Sequence, residues 1–325
     1  EVSGLVSGVG QRFTIADRDG LTIGTAGITT TNGTITVIAG QAAAGDLGGT
    51  GAINAGTAGV VTTNTNGTIT LNSSTGQIQG NSLTITAQNA AAVNTNITFL
   101  TANITDPSGT LTVREVDTLA MQGNVKTAGG DIDLIAGQNA SGYIGGYGVI
   151  NASTGNVSIT NENGLTYLAS TPEQVRGNVL TVTSSNYVVL DTAINGVTGL
   201  VSGVGQRFTI ADRDGLTIEA TGITTSNGTI SVTAGQTATG DIGGTGPLQA
   251  GTAGVALTNT NGTITLNSST GQIQGNSLTI TAQNAAAVNT NITFLTANIT
   301  DPSGTLTVRE VDALAMLDSV KTAGG

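Results

Sequence analysis

The sequence predicts an all-β protein folded as a right-handed parallel β-helix, a β-solenoid with roughly 20–28 residues in each coil. Three observations lead to this prediction: a long internal repeat, a period-2 alternation of apolar and polar residues, and a composition rich in small residues. Self-similarity at a fixed period is typical of solenoids, in which each unit buries its apolar face by stacking on its neighbours. We therefore expect one continuous β-solenoid over residues 1–325.

The internal repeat relates residues 4–130 to residues 199–325 by a shift of 195 positions. Of the 127 aligned pairs, 18 differ, and the segments Thr63–Asp117 and Thr258–Asp312 are identical. Residues 4–198 thus form one long tandem repeat, and residues 199–325 form a partial second copy. Because the chain starts without Met and stops partway through the second copy, we interpret it as a window of a longer tandem array.

Short runs in which apolar and polar residues alternate predict the strands. Asn-Gly pairs precede several of these runs, for example at positions 32–33 and 66–67, and their tolerance of positive φ predicts corners. The side chains predicted to face inward are Ile35, Val37, Ile69, Leu71, Leu111, Val113, Ile132 and Leu134. The side chains predicted to face outward are Thr36, Thr70, Thr112 and Asp133.

The spacing of the strand starts sets the size of a coil. Coils of about 22 residues give about nine coils in each 195-residue repeat. With strands stacked about 4.8 Å apart, this predicts that the two copies are related by a translation of roughly 43 Å. A string of β-sandwiches is the alternative all-β plan, but the large inward residues of sandwiches are missing, since the chain has no Trp or Cys and only 2% aromatic residues.

The composition excludes several classes of function. A nucleic-acid surface needs clustered basic residues, whereas the net charge is −11 and the nine Lys and Arg residues are scattered. No stretch approaches the roughly 18 apolar residues that a membrane helix needs. The chain has no His, and its acids are dispersed, so we expect no enzymatic activity and no catalytic residues.

Two motifs are candidate metal sites. The segment Asp17-Arg18-Asp19-Gly20, copied at 212–215, weakly resembles a calcium loop. A calcium loop has further oxygen ligands and a distal bidentate Glu, which this segment lacks. The interpretation as a polar corner with local ion pairing is therefore favoured. Gly48-Gly-Thr-Gly and Gly145-Gly-Tyr-Gly resemble calcium-binding nonapeptide repeats, yet no acid follows at the required position. We therefore predict no metal-binding and no cofactor-binding residues.

Pairs of Thr residues flank an inward Ile at positions 34/36, 68/70 and 84/86. Stacked on one flat face, such pairs would form a Thr-X-Thr array of the kind found in ice-binding solenoids. The alternative is that Thr simply suits an exposed strand, because it is β-branched and polar. Asp131, Asp133 and Ser158 interrupt the pattern and favour this alternative.

Several segments resemble the repeats of filamentous haemagglutinin-type adhesins: Asn-Gly-Thr-Ile-Thr-Leu-Asn-Ser-Ser-Thr-Gly-Gln-Ile at 66–78, Gly-Asp-Ile-Asp-Leu-Ile-Ala-Gly at 130–137, and the Gly-rich stretch at 48–56. The resemblance covers the whole chain and is more specific for fold than for ligand. It implies a secreted or surface-displayed bacterial fibre, and hence an extracellular or cell-surface location.

The function expected from repeat and resemblance together is that of a structural shaft in a bacterial surface or extracellular fibre, giving reach and stiffness. Further copies of the same repeat, joined end to end, are the expected partners, and lateral contacts between fibres or with a surface stay open. Both ends of the chain match interior segments, so we expect terminal coils with exposed Val and Leu. The alternative is a module that binds carbohydrate, a host surface or ice through flat Thr- and Asn-rich faces.

Overall fold

A computed structural model describes residues 1–324 and confirms the predicted fold class. The described residues form 34 β-strands and no helix, and the strands stack as a parallel β-solenoid of about 15 turns with about 22 residues in each turn. Coils of this size give the predicted number of about nine coils in 195 residues. Gly325, the last residue of the partial second copy, lies outside the described residues.

The chain divides into two compact units, Glu1–Gly164 and Leu165–Gly325. The strands of the first unit are β1 (Val2–Val6), β2 (Phe13–Ala16), β3 (Leu21–Thr30), β4 (Ile35–Ala39), β5 (Leu47–Gly49), β6 (Ile53–Asn54), β7 (Gly59–Asn64), β8 (Ile69–Leu71), β9 (Ile78–Gln79), β10 (Ser82–Ala87), β11 (Ala91–Asn96), β12 (Phe99–Ile104), β13 (Leu111–Glu115), β14 (Leu119–Thr127), β15 (Ile132–Ala136), β16 (Gly142–Gly146), β17 (Ile150–Asn151) and β18 (Val157–Asn161).

Coils of the first unit stack side on side. β4, β5 and β6 form the three sides of one coil and pair with β7, β8 and β9 of the next coil. Two sides then merge into one strand, because β11 pairs with both β8 and β9. The corner that separates Leu71 from Ile78 is absent from the coil that contains β11, and this coil is correspondingly short.

The coils vary in length around their mean. Ser82 pairs with Gly59, 23 residues earlier, and with Phe99, 17 residues later. Leu21 pairs with Leu47, 26 residues later. The shortest coils thus fall below the predicted lower limit of roughly 20 residues, because merging two sides removes a corner without breaking the register.

The second unit is built in the same way. Its strands, of which the first begins at the unit boundary, are β19 (Gly164–Leu168), β20 (Val175–Ser184), β21 (Val188–Val201), β22 (Phe208–Asp212), β23 (Leu216–Thr225), β24 (Ile230–Ala234), β25 (Ile242–Gly244), β26 (Leu248–Gln249), β27 (Gly254–Asn259), β28 (Ile264–Leu266), β29 (Ile273–Gln274), β30 (Ser277–Ala282), β31 (Ala286–Asn291), β32 (Phe294–Ile299), β33 (Leu306–Glu310) and β34 (Ala315–Thr322). The long strand β21 pairs along its length with β20 and then with β22 and β23.

Aliphatic side chains fill the interior of each unit. All eight residues predicted to face inward are fully buried: Ile35, Val37, Ile69, Leu71, Leu111, Val113, Ile132 and Leu134. The four predicted to face outward, Thr36, Thr70, Thr112 and Asp133, are half-buried or exposed. The register stacks apolar residues of successive coils on one another, so that Leu111 lies between Ala91 and Ile132. Each fully buried aliphatic side chain contributes roughly 1.5–3 kcal/mol.

Asparagine side chains hydrogen-bond to backbone carbonyl groups at the corners. Gly40 turns with a positive φ of 66°, and its carbonyl accepts a 2.6 Å hydrogen bond from the Asn66 side chain of the next coil. The amide of Asn64, which is fully buried, donates to the carbonyl oxygens of Gly45 (2.9 Å) and Thr68 (2.8 Å). A Cβ at position 40 would lie 2.4 Å from Asn64 Oδ1, so this corner requires Gly.

Candidate functional site

Two fully buried carboxylates are the least expected polar groups of the solenoid interior. Alternation along β13 places Leu111, Val113 and Glu115 on the inward face, so the last residue of the strand brings a carboxyl group inside. Alternation along β22 does the same for Asp212. Charged residues are almost never fully buried unless their polar atoms find partners.

Glu115 is held by donors from its own coil and from the preceding one. Its Oε2 accepts hydrogen bonds from the Thr95 hydroxyl (2.6 Å) and from the Ile97 backbone N–H (3.0 Å). Its Oε1 accepts from the Val116 N–H at 2.8 Å. Both oxygens therefore have partners, and the carboxyl group ties β13 to the end of β11.

Asp212 repeats this arrangement in the second unit. Its Oδ2 accepts hydrogen bonds from the Thr192 hydroxyl (2.7 Å) and from the Ile194 N–H (3.1 Å). Its Oδ1 accepts from the Asp214 N–H at 3.2 Å. In both clusters the Thr lies 20 residues, and the N–H donor 18 residues, before the acid. We call these two groups, with their Thr and N–H donors, the carboxylate clamps.

Burial raises the pKa of both carboxyl groups. The pKa of Glu115 rises to about 7, because removal from water disfavours the charged form more than the hydrogen bonds from Thr95, Ile97 and Val116 favour it. The pKa of Asp212 rises to about 6 for the same reason, and the nearby charge of Asp214 raises it further. Perturbed acids of this kind occur at functional sites and also in purely structural networks.

Sequence reasoning did not single out Glu115. The period-2 rule that assigned Leu111 and Val113 to the core also assigns Glu115 to it, and this is the signal that could have found the first clamp. The sequence predicts a polar corner at 212–215, and the structure corrects this for Asp212, which is buried at the end of β22.

At 212–215, Arg213 and Asp214 form a polar corner with a local ion pair, whereas Asp212 ends β22 and is buried. Arg213 lies 3.0 Å from Asp214 and 3.6 Å from Glu173 of an earlier coil. Glu173 also pairs with Arg176 at 3.4 Å. Among residues 1–324, no group of three acidic side chains is positioned to hold a metal ion.

The Thr pairs do not lie on one face. Thr36 and Thr84 belong to one row, but Val61 separates them in register. Thr70 belongs to a different row, in which it is followed by Ala92 and Thr112. Apolar residues thus interrupt both rows, and the three pairs do not combine into a regular Thr-X-Thr array.

The tyrosines form the most distinctive exposed feature. All four lie between positions 143 and 187. In the first unit, the Tyr147 side chain is 78% exposed and that of Tyr143 40% exposed. In the second unit, Tyr167 is also exposed, and the guanidinium of Arg207 lies 5.1 Å from the ring centroid of Tyr187, within cation–π range.

No family model, curated protein or solved structure matches this chain. The resemblance to filamentous haemagglutinin-type adhesins therefore stays a prediction from sequence. Residues 1–324 contain no helix that is long and apolar enough to cross a membrane.

Proposed function

We propose that this chain is a segment of the structural shaft of a bacterial cell-surface or extracellular fibre, where it provides reach and stiffness. The observation that carries the proposal is the coil-on-coil stacking within each unit, in which a continuous aliphatic core is combined with a tandem sequence repeat. Stability in such an array is approximately a sum over neighbouring coils, so copies can be added without redesign. A stiff spacer needs this property more than it needs a cleft.

The partners that fit this role are further copies of the same repeat, stacked end to end. Met121 and Val125 of β14 are buried beneath β16 and β17, so a coil of this repeat is completed by the coil that follows it. Successive copies of the repeat would cover one another's inward side chains in the same way. The proposed location, outside the bacterial cell, rests on the resemblance in sequence alone.

Particle length tests the shaft proposal. A chain extended by one further 195-residue repeat should gain roughly 43 Å in maximum dimension, because about nine coils stack about 4.8 Å apart. Small-angle X-ray scattering of the original and extended chains measures this gain, with circular dichroism as the control for folding. An extended chain that folds but becomes wider instead of longer would exclude a shaft.

A direct binding module is the second candidate, and the exposed tyrosines rather than the Thr rows favour it. Tyrosine rings present apolar faces at low entropic cost, and they are concentrated in one stretch of a chain otherwise poor in aromatics. Binding to a panel of immobilised glycans that disappears in the Tyr147→Ser and Tyr167→Ser variants would favour this function over the shaft.

A further inference from the structure

We infer that Glu115 and Asp212 are proton-binding sites, each of which lets its pair of stacked coils exist in two fully hydrogen-bonded states. The Thr hydroxyl of each carboxylate clamp has two acceptors within reach. One acceptor is the carboxylate, and the other is a backbone carbonyl oxygen of the same neighbouring coil.

The first state is the ionised one. In it the Thr95 hydroxyl donates to Glu115 Oε2 at 2.6 Å, and the Ile97 N–H donates to the same oxygen at 3.0 Å. Every partner of the carboxyl group is then a donor, as an ionised carboxylate requires. In this state, however, the carboxylate carries a negative charge inside the solenoid, and its removal from water is unfavourable.

The second state follows when a proton from water binds Oε2. The new O–H donates to Thr95 Oγ1, and the Thr95 hydroxyl turns to the Arg114 carbonyl oxygen, which lies 3.3 Å away. Oε2 still accepts from Ile97 through its remaining lone pair. No buried polar atom of the clamp is left without a partner, so protonation removes the charge without an unmade hydrogen bond.

The Asp212 clamp has the same alternative acceptor. Its Thr192 hydroxyl lies 2.7 Å from the carboxylate and 3.3 Å from the carbonyl oxygen of Ala211. The two distances match those of the first clamp, although one acid is Glu and the other Asp. This recurrence on different side chains indicates that the two-acceptor geometry belongs to the fold rather than to one residue.

No basic side chain of the described residues forms an ion pair with either carboxylate. Around Glu115, Arg114 points outward and is exposed, Asp117 follows in the corner, and the only ionisable residue of the next strand, Asp133, faces outward. The preceding strand β11 carries no ionisable residue. The proton is therefore the cation that is available to compensate Glu115.

Around Asp212, the corner contributes Arg213 and Asp214, which pair with each other. Asp191 of the preceding strand β21 lies half-buried on the outer face and accepts the Glu173 N–H at 2.7 Å. The following strand β24 has no ionisable side chain. Among the described residues, the charge of Asp214 opposes ionisation of Asp212, and the positive charge of Arg213, which interacts with both aspartates, acts against it.

The sign of the effect follows from linkage. A carboxyl group that binds its proton more tightly in the folded chain stabilises the fold fully below its unfolded pKa, and this stability is lost as the pH rises through the folded pKa. For Glu115 the interval runs from 4.5 to about 7, and for Asp212 from 3.8 to about 6. The clamps therefore hold the coils together more tightly in mildly acidic solution than above neutrality.

Carboxyl ¹³C NMR titration of the full chain tests the inference directly. We expect midpoints near 7 for Glu115 and near 6 for Asp212. Thr95→Val should raise the Glu115 midpoint by at least half a unit, about a threefold change in proton affinity, because the charge-assisted donor that the ionised state loses is stronger than the neutral acceptor that the protonated state loses. Thr95→Ser keeps the hydroxyl and should restore the original midpoint, and Thr112→Val, on the outer face of β13, should leave it unchanged.

Chemical denaturation provides a second measurement that does not depend on the Thr95 variants folding. The midpoint of unfolding should be higher at pH 5.5 than at pH 8 in the natural chain, and this difference should shrink in Glu115→Gln and Asp212→Asn. A Glu115 midpoint near 4.5, or an unfolding profile that is the same in the natural chain and in both variants, would overturn the inference.

Discussion

Glu115 and Glu310 occupy equivalent positions in identical sequences, yet their surroundings differ. Residues 63–117 and 258–312 match at every position. Glu115 is fully buried, whereas Glu310 is half-buried, although it accepts the corresponding hydrogen bonds from Thr290 (2.7 Å) and Val311 N–H (2.8 Å). The difference lies in the neighbouring strands: β13 pairs with both β11 and β15, and β33 pairs, within the described residues, with β31 alone.

Asp17 and Asp212 make the same comparison at the other equivalent acid. Both belong to the sequence Asp-Arg-Asp-Gly. The Asp19 N–H, 3.2 Å from Asp17 Oδ1, holds the pKa of Asp17 below its usual value. Burial instead raises the pKa of Asp212 to about 6. Within the part of the chain that the structure describes, β2 pairs with β4 on one edge, whereas β22 lies between β21 and β24.

The lesson of both pairs is that a coil on each side determines the chemistry of an inward residue. Glu310 keeps the hydrogen bonds made by its own segment and by the preceding coil. Asp17 keeps the bond from the Asp19 N–H of its own segment. However, β2 pairs with the following coil, and no described residue takes the place of the Thr192 and Ile194 donors. Complete removal from water requires a second stacked coil, and at Glu115 and Asp212 it is the largest contribution to the raised pKa. The following predictions test this dependence on neighbouring coils.

The largest difference is expected in the free energy of unfolding, when the same core leucine is truncated in a fully buried and in a half-buried strand. Leu111→Ala should lower the free energy of unfolding by about 2–5 kcal/mol, since Leu111 is fully buried and its truncation leaves a cavity. Leu306→Ala removes the same atoms from a half-buried site, where the cavity is open to water, and should cost about 1 kcal/mol. Urea denaturation of the two variants measures both changes.

A control for this pair is Thr112→Ala, on the outer face of the strand that carries Leu111, which should change stability little. Equal losses for Leu111→Ala and Leu306→Ala would contradict the dependence on a second coil. Such a result would mean that the contacts within one coil pair are sufficient for the stabilisation.

The next effect concerns the two aspartates. Between pH 3.8 and about 6, rising pH should remove about 1–3 kcal/mol of stability through Asp212, because its folded pKa is raised. Asp17 should act in the opposite sense: its contribution is present above pH 3.8 and is lost as the pH falls through its lowered folded pKa. Titration of both carboxyl groups in one NMR experiment checks the two directions, and parallel shifts would refute the comparison.

The smallest effect concerns a difference between the two copies. Thr62 is fully buried, and its hydroxyl has no hydrogen-bond partner among the described residues. The second copy has Leu257 at this position, fully buried between Val232 and Ile280, and Thr62 lies between the same residue types, Val37 and Ile85.

Thr62→Leu should therefore stabilise the chain by about 1–2 kcal/mol, because it removes an unsatisfied hydroxyl and adds apolar burial. The reverse change, Leu257→Thr, is the matched control and should destabilise by a similar amount. Thermal unfolding followed by circular dichroism measures both. A loss of stability in Thr62→Leu would show that the two cores are packed differently despite their shared neighbours.

Much of the fold was predictable because alternation and repetition are local properties of the chain. The eight predicted inward residues are buried, and Asn32 and its copy Asn227 turn with positive φ of 58° and 61°. Asn66 and Gly67 also lie at a corner, but without positive φ. The coil length was less predictable. A strand such as β11 spans two sides of a coil, and nothing in its own sequence shows that it pairs with β8 and β9 together.

The sequence by itself determined that this chain is a parallel β-solenoid and which residues face its core, since a period of two assigns faces wherever one face is apolar. Only the tertiary structure decided that Glu115 and Asp212 meet a Thr hydroxyl and a free N–H from the preceding coil. That meeting depends on the register between residues 18 and 20 positions apart, which the lengths of the intervening corners set. The same structure decided which copies of these acids are fully removed from water, because burial requires a coil on both sides.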